Sequence, residues 1–251
     1  MNIPAYLLNY IKNINKGGGG ITPTGEINIT ENGTYDVTNY ATANVNIPSY
    51  YITDCQYLCS DNHRVDSDSL SIIPYIVKPT SVSQMFRLSS NLVNAPLFDT
   101  SNTTTFSAMF YNCSNLETVP LYDTSKGTDF LNMFSNCLKL TSVPQFDFTN
   151  AIYLGYLFQN CTTLANVPVF DWSSPNLNTG VNGLSKIFEG CSSLTNDSLN
   201  NILATFDSIS VTLPSGRLKL SAYGISSSQA DICVTLSNWQ GLVDKGWTTG
   251  Y

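Results

Sequence analysis

The stretch that decides the fold is MFYNCSNL at residues 109–116, because the same frame returns as MFSNCLKL at residues 133–140. The two stretches define a 24-residue period. Phenylalanines keep that period at Phe86, Phe110, Phe134 and Phe158. A fixed period of about 20 to 50 residues is typical of a solenoid, in which no unit buries its apolar face alone and neighbouring units stack into one core. The sequence therefore predicts a stack of 24-residue units.

Cysteines and aspartates recur in the same register as the phenylalanines, and we expect both rows to be structural. The phenylalanine row continues to Phe188 after a longer interval, so the last junction holds extra residues that we place in a bulged loop from Trp172 to Gly183. The recurring cysteines are Cys113, Cys137, Cys161 and Cys191. The recurring aspartates are Asp99, Asp123, Asp147 and Asp171.

Each unit has two parts. The frame Met-Phe-x-x-Cys-x-x-Leu places apolar residues at i, i+1, i+4 and i+7, which predicts a short helix or helical turn. The residues that follow, such as 116–122, contain a β-branched residue, a proline and an aromatic, and they end in Asp-Thr-Ser. That composition predicts a short strand followed by a turn. The predicted fold is an α/β repeat of short strand and short helix.

The chain outside the repeats divides by composition. We expect an amphipathic attachment segment at 1–16, with a frayed terminus as the alternative, and a glycine-rich tether at 17–25. Alternating apolar residues and Asn32-Gly33 predict a small antiparallel β-hairpin module at 26–50. Caps at 51–84 and 195–251 should flank the repeats at 85–194. Within the second cap we expect helical turns near 199–206 and 227–236 and a strand near 218–221.

Charge and hydropathy exclude two partner classes. The net charge is −7 with 11 Lys plus Arg, so no basic stripe exists to neutralise phosphates, and we expect no nucleic-acid binding. No run of about 18 apolar residues is present, so we expect no membrane insertion. Residues 1–16 lack the charged start, long apolar core and small-residue cleavage site of a secretory signal.

The chemistry-bearing residues favour structural roles, and we expect no cofactor and no metal. Seven cysteines, four of them in one row, indicate buried free thiols rather than a disulfide framework. Cys55, Cys59 and His63 lie close in sequence but lack the fourth ligand of a zinc site. His63 is the only histidine, and no G-x-S-x-G motif exposes a serine, so we expect no catalytic residue.

Aspartates in the repeats should accept backbone N–H bonds within their own Asp-Thr-Ser turns. Four stacked carboxylates would otherwise repel one another. Calcium binding by this row, or a catalytic carboxylate pair, stays open as the alternative to the structural role.

The repeat frame resembles the BspA-like leucine-rich repeats of bacterial surface proteins. The resemblance rests on Met109–Leu116 and Phe98–Ser101 and covers residues 85–194, although Val-Pro stands where related repeats carry a longer leucine-rich strand. It implies a leucine-rich-repeat-like solenoid. The stretch Glu26–Ile47 and the terminal Gly246–Tyr251 are similar to segments of structural proteins of phages and prophages of Gram-positive bacteria.

These resemblances imply a non-enzymatic virion protein, a fibre or receptor-binding accessory that attaches to other virion subunits through residues 1–16. It would be made in the host cytoplasm, and its solenoid would bind a glycan or protein on the host surface. The sequence leaves the oligomeric state open, a homo-trimer included. The alternatives are a bacterial surface adhesin and, third, a cell-wall glycan hydrolase.

Positions that vary between repeats are the candidates for the binding face. One set follows the strand and includes a polar residue that a core would not accept. Its members are Leu97, Leu121, Gln145 and Val169. A second set lies in the Phe-Cys segment and marks the other candidate face. Its members are Tyr111, Ser135 and Gln159.

Overall fold

The computed structural model describes residues 76–174, 176–214 and 218–251, together with the backbone of four short strand segments nearer the N-terminus. The glycine-rich tether, the Asn32-Gly33 turn and the trio Cys55, Cys59 and His63 lie outside the described residues, as does most of the predicted attachment segment.

The N-terminal strands differ from the predicted module. Strands β1 (Asn2–Ile3), β2 (Ile27–Asn28) and β3 (Ala43–Asn46) form a sheet in the order β1-β3-β2. β3 pairs antiparallel with β1 but parallel with β2, so β2 and β3 are not the two arms of a hairpin. Ile3, within the predicted attachment segment, is extended in β1 because it precedes Pro4, and a following proline disfavours helical backbone.

A parallel stack begins at β4 and β5. Strand β4 (Ile52–Asp54) pairs parallel with β5 (Ile76–Ser81), which ends where the 24-residue register begins. From there, single parallel bridges join equivalent residues of successive units. These bridges are Ser81 to Thr105, Thr105 to Asp129 and Asp129 to Tyr153 on one side, and Asn94 to Thr118 and Ser142 to Asn166 on another.

The Phe-Cys segment of each unit is a series of turns, which differs from the predicted short helix. In residues 106–113, alternate N–H groups bond within the unit and across to the next one. The N–H of Met109 donates to Phe106 O at 3.1 Å, whereas the N–H of Phe110 donates to Met133 O at 2.9 Å. A helix would direct every donor along its own axis and leave nothing to join the units. The turn series therefore gives backbone N–H groups hydrogen-bond partners and joins successive units at the same time.

These turns need left-handed backbone at two positions in each unit, four residues apart. The left-handed residues are Gln84 and Leu88, Ala108 and Asn112, Asn132 and Asn136, Tyr156 and Asn160, and Lys186 and Gly190. Asparagine and glycine adopt this conformation readily, and they occupy the second position in four of the five units. The spacing i, i+1, i+4 and i+7 therefore has a different cause from the helical one we expected.

The extended segment of each unit alternates between core and solvent. Phe98, Tyr122, Phe146 and Phe170 are buried, and the residues on either side of each are exposed. Successive outward residues are therefore two apart, as extended backbone requires. The buried partners meet the phenylalanine row, as shown by the 5.9 Å between the rings of Phe134 and Phe146.

After the regular units the described residues form four α-helices: α1 (Val181–Leu184), α2 (Asn196–Asp207), α3 (Ser227–Cys233) and α4 (Trp239–Asp244). Helices α2 and α3 confirm the helical turns predicted near 199–206 and 227–236. The predicted strand at 218–221 is instead one bridge from Lys219 to Thr248 followed by a 3-10 helix, Leu220–Tyr223. That short helix continues the turn stack, because Phe188 N donates to Tyr223 O at 2.8 Å.

Helix α2 covers the last extended segment with polar side chains. Ser198 Oγ accepts from Val167 N at 2.9 Å, and Thr205 Oγ1 accepts from Phe170 N at 2.9 Å. Asn201 Nδ2 donates to Val167 O at 2.9 Å. An uncovered edge would be open to pairing with another chain, so α2 terminates the extended side of the stack.

The insertion from Trp172 to Gly183 is part of the core rather than a purely outward bulge. Trp172 and Leu177 are buried, and the Trp172 ring lies 5.8 Å from that of Phe206. Gly183 is required because a Cβ there would lie 1.4 Å from Asn178 O. The extra residues therefore bring an additional tryptophan to the α2 end of the core.

Candidate binding surface

The phenylalanine row forms the centre of the stack. All five rings are fully buried. Neighbouring rings are 5.4 Å apart between Phe86 and Phe110, 5.5 Å between Phe110 and Phe134, and 5.7 Å between Phe134 and Phe158. The corresponding interplanar angles are 3°, 7° and 8°. These contacts join the successive units at the centre of the stack.

Each cysteine of the row joins its unit to the preceding one. The thiol of Cys113 donates to Phe86 O at 3.0 Å, and that of Cys137 donates to Phe110 O at 3.2 Å. Cys161 and Cys191 make the equivalent bonds to Phe134 O and Phe158 O. The five cysteines that the structure describes are buried free thiols, as predicted for the four of the row.

Burial makes the cysteine thiols unreactive. It raises the pKa of Cys113 and of Cys191 to about 12 and raises the pKa of Cys137 and Cys161 well above the ordinary value. Because the thiolate is the nucleophile and the metal ligand, these protonated thiols are neither at neutral pH. Their role is structural.

The aspartates are exposed and hold the turn that follows each extended segment. Asp99 Oδ1 accepts from Ser101 N at 2.9 Å, and Asp123 Oδ1 accepts from Ser125 N at 3.1 Å and from Ser125 Oγ at 2.6 Å. Asp147 and Asp171 make the same backbone bond. The bonds from the serines lower the pKa of Asp99 and Asp123. The turn role predicted for this row agrees with these bonds.

The strand positions selected from the sequence form one continuous outward row. Leu97 is 66 % exposed, Leu121 62 % and Val169 40 %. Gln145 is also exposed, and its Nε2 donates to Val169 O at 3.2 Å, which ties neighbouring units at this position. We call these four residues the apolar row. The aspartates, two residues further along each segment, form a parallel acidic row on the same face.

The second predicted face is not an open surface. Ser135 is fully buried, so it cannot contact a ligand. Gln159 is half-buried and donates through Nε2 to Glu189 Oε2 at 2.5 Å. Tyr111 lies beside Arg87, whose guanidinium carbon is 5.8 Å from the ring centre. These positions vary because each makes a different local contact within the turn segment.

Sequence reasoning missed several residues that shape this surface. Phe106 and Phe130 are buried and stacked at 5.1 Å, and their 24-residue spacing was the signal that identifies them. Thr100 and Thr124 point inward from the Asp-Thr-Ser turns and donate to Asp123 O and Asp147 O. These threonine bonds fix the acidic row of one unit relative to the next.

A cleft near α2 is another candidate binding site, and two of its polar side chains are already engaged within the protein. A cleft of about 290 Å³ lies between the extended segments and the start of α2, but Ser198 and Asn201 in its lining already bond to backbone carbonyls. Within the described part of the chain, no three His, Cys, Asp or Glu residues are grouped to hold a metal ion. The helices in that part are all too short or too polar to cross a bilayer.

Comparison with known proteins bears on the repeats. Residues 80–202 match a family described as Mycoplasma protein of unknown function, DUF285. The matched segment contains every regular unit. The match is compatible with a BspA-like repeat protein, which is what the frame at 85–194 resembles. Neither a search of curated proteins nor a search of solved structures gave a match.

Proposed function

We propose that this chain is a non-enzymatic structural component of a phage or prophage virion, a fibre or receptor-binding accessory protein. Its repeats form a leucine-rich-repeat-like solenoid with turns in place of helices. The solenoid presents the apolar and acidic rows to the host surface, and residues 1–16 attach the chain to other virion subunits.

The observation that carries this proposal is the apolar row. Large apolar side chains are normally buried, yet Leu97 is 66 % exposed and Leu121 62 % in units whose other apolar positions are mostly buried. The exposed positions recur in register, so they form one surface rather than scattered residues. An ordered exposed apolar surface on a rigid stack is typical of a binding site.

Two properties of the chain support a virion role over an enzymatic one. The described thiols and the aspartates of the row are accounted for by structure, because the thiols are buried and the aspartates hold turns. The segments Glu26–Ile47 and Gly246–Tyr251 resemble those of phage structural proteins.

Two measurements test the proposal. Particles induced from the strain that encodes the chain should contain it when analysed by mass spectrometry, and gold-labelled antibody should place it on the particle exterior. Purified protein should bind whole host cells, and Leu121→Asp should reduce that binding at least tenfold. Leu138→Asp is the matched control, because Leu138 is also exposed but lies outside the apolar row. Absence from particles would refute the virion role.

The second candidate is a surface adhesin of the bacterium itself, which the resemblance of the repeat frame to the BspA-like repeats of bacterial surface proteins favours. Antibody labelling of intact, uninduced cells distinguishes the two, since an adhesin is displayed there and a virion component is not. A glycan hydrolase is the third candidate, and release of soluble sugar from cell-wall polysaccharide would establish it.

A further inference from the structure

The pitch of the two outward rows selects the shape of what can bind along them. Parallel bridges from Asn94 to Thr118 and from Ser142 to Asn166 join the units beside the outward rows. Because bridged strands lie about 4.8 Å apart, the outward rows repeat at about that distance. An α-helix advances about 5.4 Å per turn. An extended strand repeats its same-side residues every ~6.6 Å. Over the three intervals between four units a helix therefore drifts by about 2 Å and a strand by about 5 Å, so a helix follows the rows more closely.

The acidic row selects the charge of the occupant. The carboxylates of Asp99 and Asp123 have lowered pKa values and are charged at neutral pH. Among the described residues, Asp99 alone in this row forms an ion pair, with Lys78 Nζ at 4.0 Å, while Lys126 lies near the first two members. The row therefore presents negative charge along the whole length of the apolar row, most of all at Asp147 and Asp171.

Four other occupants fit this surface poorly. A second copy of the chain would bring its own acidic row and a net charge of −7 against this one. Nucleic acids and anionic membranes are repelled for the same reason. A neutral glycan could donate hydroxyl groups to the aspartates, but it would leave their charge uncompensated and would bury its remaining hydroxyl groups against Leu97, Leu121 and Val169.

We propose that the two rows dock an amphipathic α-helix of a host protein, laid along the stack axis. One apolar side chain per turn contacts the apolar row, and Lys or Arg residues on one flank face the acidic row. This inference rests on the proposed function and names the receptor class: a protein helix rather than a glycan.

Gln145 fixes the register of the docked helix. Its Nε2 bonds to Val169 O, so the side chain is held in place at the third position of an otherwise apolar row. A single polar residue in an apolar seam specifies register in coiled coils, because any shifted arrangement buries it against an apolar partner. The partner helix should therefore carry a polar residue at its third contacting turn.

The test uses three fluorescein-labelled 18-residue peptides and the full chain, followed by fluorescence anisotropy. The first peptide carries Leu at i, i+4 and i+11, Gln at i+7 and Lys on one flank. The second has the same composition in strictly alternating order, and the third has Glu in place of Lys. The first peptide should bind at least tenfold more tightly than either of the others, and raising the salt from about 0.05 to about 0.5 M should weaken it severalfold.

Variants of the chain locate the site. Leu121→Asp and Asp123→Lys should each weaken the first peptide at least tenfold, whereas Leu138→Asp should leave binding unchanged. Circular dichroism melts establish that each variant is folded. Leu121 and Leu138 are exposed, and Asp123→Lys loses only the turn bonds from Ser125. A further peptide replaces the Gln at i+7 of the first peptide by Leu. The Gln145→Leu variant should bind it as tightly as the wild-type chain binds the first peptide. Equal binding of all three peptides, or no effect of Leu121→Asp, would overturn the helix assignment.

Parallel binding to whole host cells separates this inference from the proposed function. Binding that is lost after protease treatment of the cells supports a protein receptor. Binding that survives protease but is lost after periodate oxidation overturns the helix assignment and leaves the proposed function standing. Self-association seen by sedimentation, and abolished by Leu121→Asp, would instead assign the rows to a second copy of the chain.

Discussion

Replacing Phe134 by alanine should cost about 3–5 kcal/mol of the free energy of unfolding. The ring is fully buried and stacks on Phe110 at 5.5 Å, on Phe158 at 5.7 Å and on Phe146 at 5.9 Å. Truncating a buried Phe to Ala costs about 3–5 kcal/mol in general, and aromatic pairs add about 0.5–1.5 kcal/mol each beyond area burial. Because two neighbouring units lose contact at once, the upper half of that range is expected.

Urea unfolding followed by circular dichroism measures this cost. With a slope of about 2–3 kcal/mol per M, the midpoint should fall by roughly 1.3–2.5 M. Leu121→Ala is the matched control, because it also truncates a large apolar side chain but at a position 62 % exposed, and it should cost less than about 1 kcal/mol. A loss for Phe134→Ala no larger than that of the control would show that the phenylalanine row does not hold the stack together.

Four further predictions concern other parts of the chain. Cys137→Ser should destabilise the fold. In the native protein at about pH 8, the variant and wild type should have the same number of thiols that react with Ellman's reagent. One reactive thiol fewer in the variant would show that Cys137 is accessible. Asp123→Asn should lower the free energy of unfolding slightly at neutral pH, because the lowered pKa of Asp123 stabilises the fold while its carboxylate is charged. The difference in stability from wild type should vanish as the pH falls below about 4. A difference that grows in acid would contradict this prediction. Gly183→Ala should reduce the melting temperature, since its Cβ would overlap Asn178 O, and an unchanged melt would mean that the insertion is not packed. Deleting residues 1–16 removes β1 from its pairing with β3 but removes no residue of the repeat rows, so the melt of the repeats should stay nearly unchanged. Incorporation into particles should be abolished, and normal incorporation would remove the attachment role.

The rows of the core were predictable because every unit faces the same constraint. Phe110, Phe134 and Phe158 occupy equivalent places between two equivalent neighbours, so one spacing in the sequence identifies them all. The apolar row could be identified from its variation, since a core position would not accept Gln145. The acidic row was predictable as a set of turns because Asp-Thr-Ser supplies both the acceptor and the donors.

The backbone of the Phe-Cys segment was not predictable from apolar spacing. Its left-handed positions include Leu88, Ala108 and Tyr156, whose side chains give no signal for that conformation. Asn112 and its equivalents were the available hint, because asparagine tolerates left-handed backbone. The bonds between units decide the conformation, and those long-range bonds have no local sequence pattern.

The burial of Ser135 and Trp172 also depended on long-range packing. Ser135 occupies a position where a neighbouring unit has Tyr111, and only the local contacts show that the serine is enclosed. Trp172 lies at the start of an insertion that breaks the 24-residue register, so its contact with Phe206 of α2 could not be found from the repeat.

The most direct test of the central claim, that the apolar and acidic rows are the host-binding surface of a virion component, is an adsorption competition assay. Host cells are incubated with purified chain before particles are added, and the unadsorbed particles are counted. Wild-type chain and Leu138→Asp should block adsorption equally, whereas Leu121→Asp should not block it. Equal blocking by all three, or blocking by none, would contradict the account.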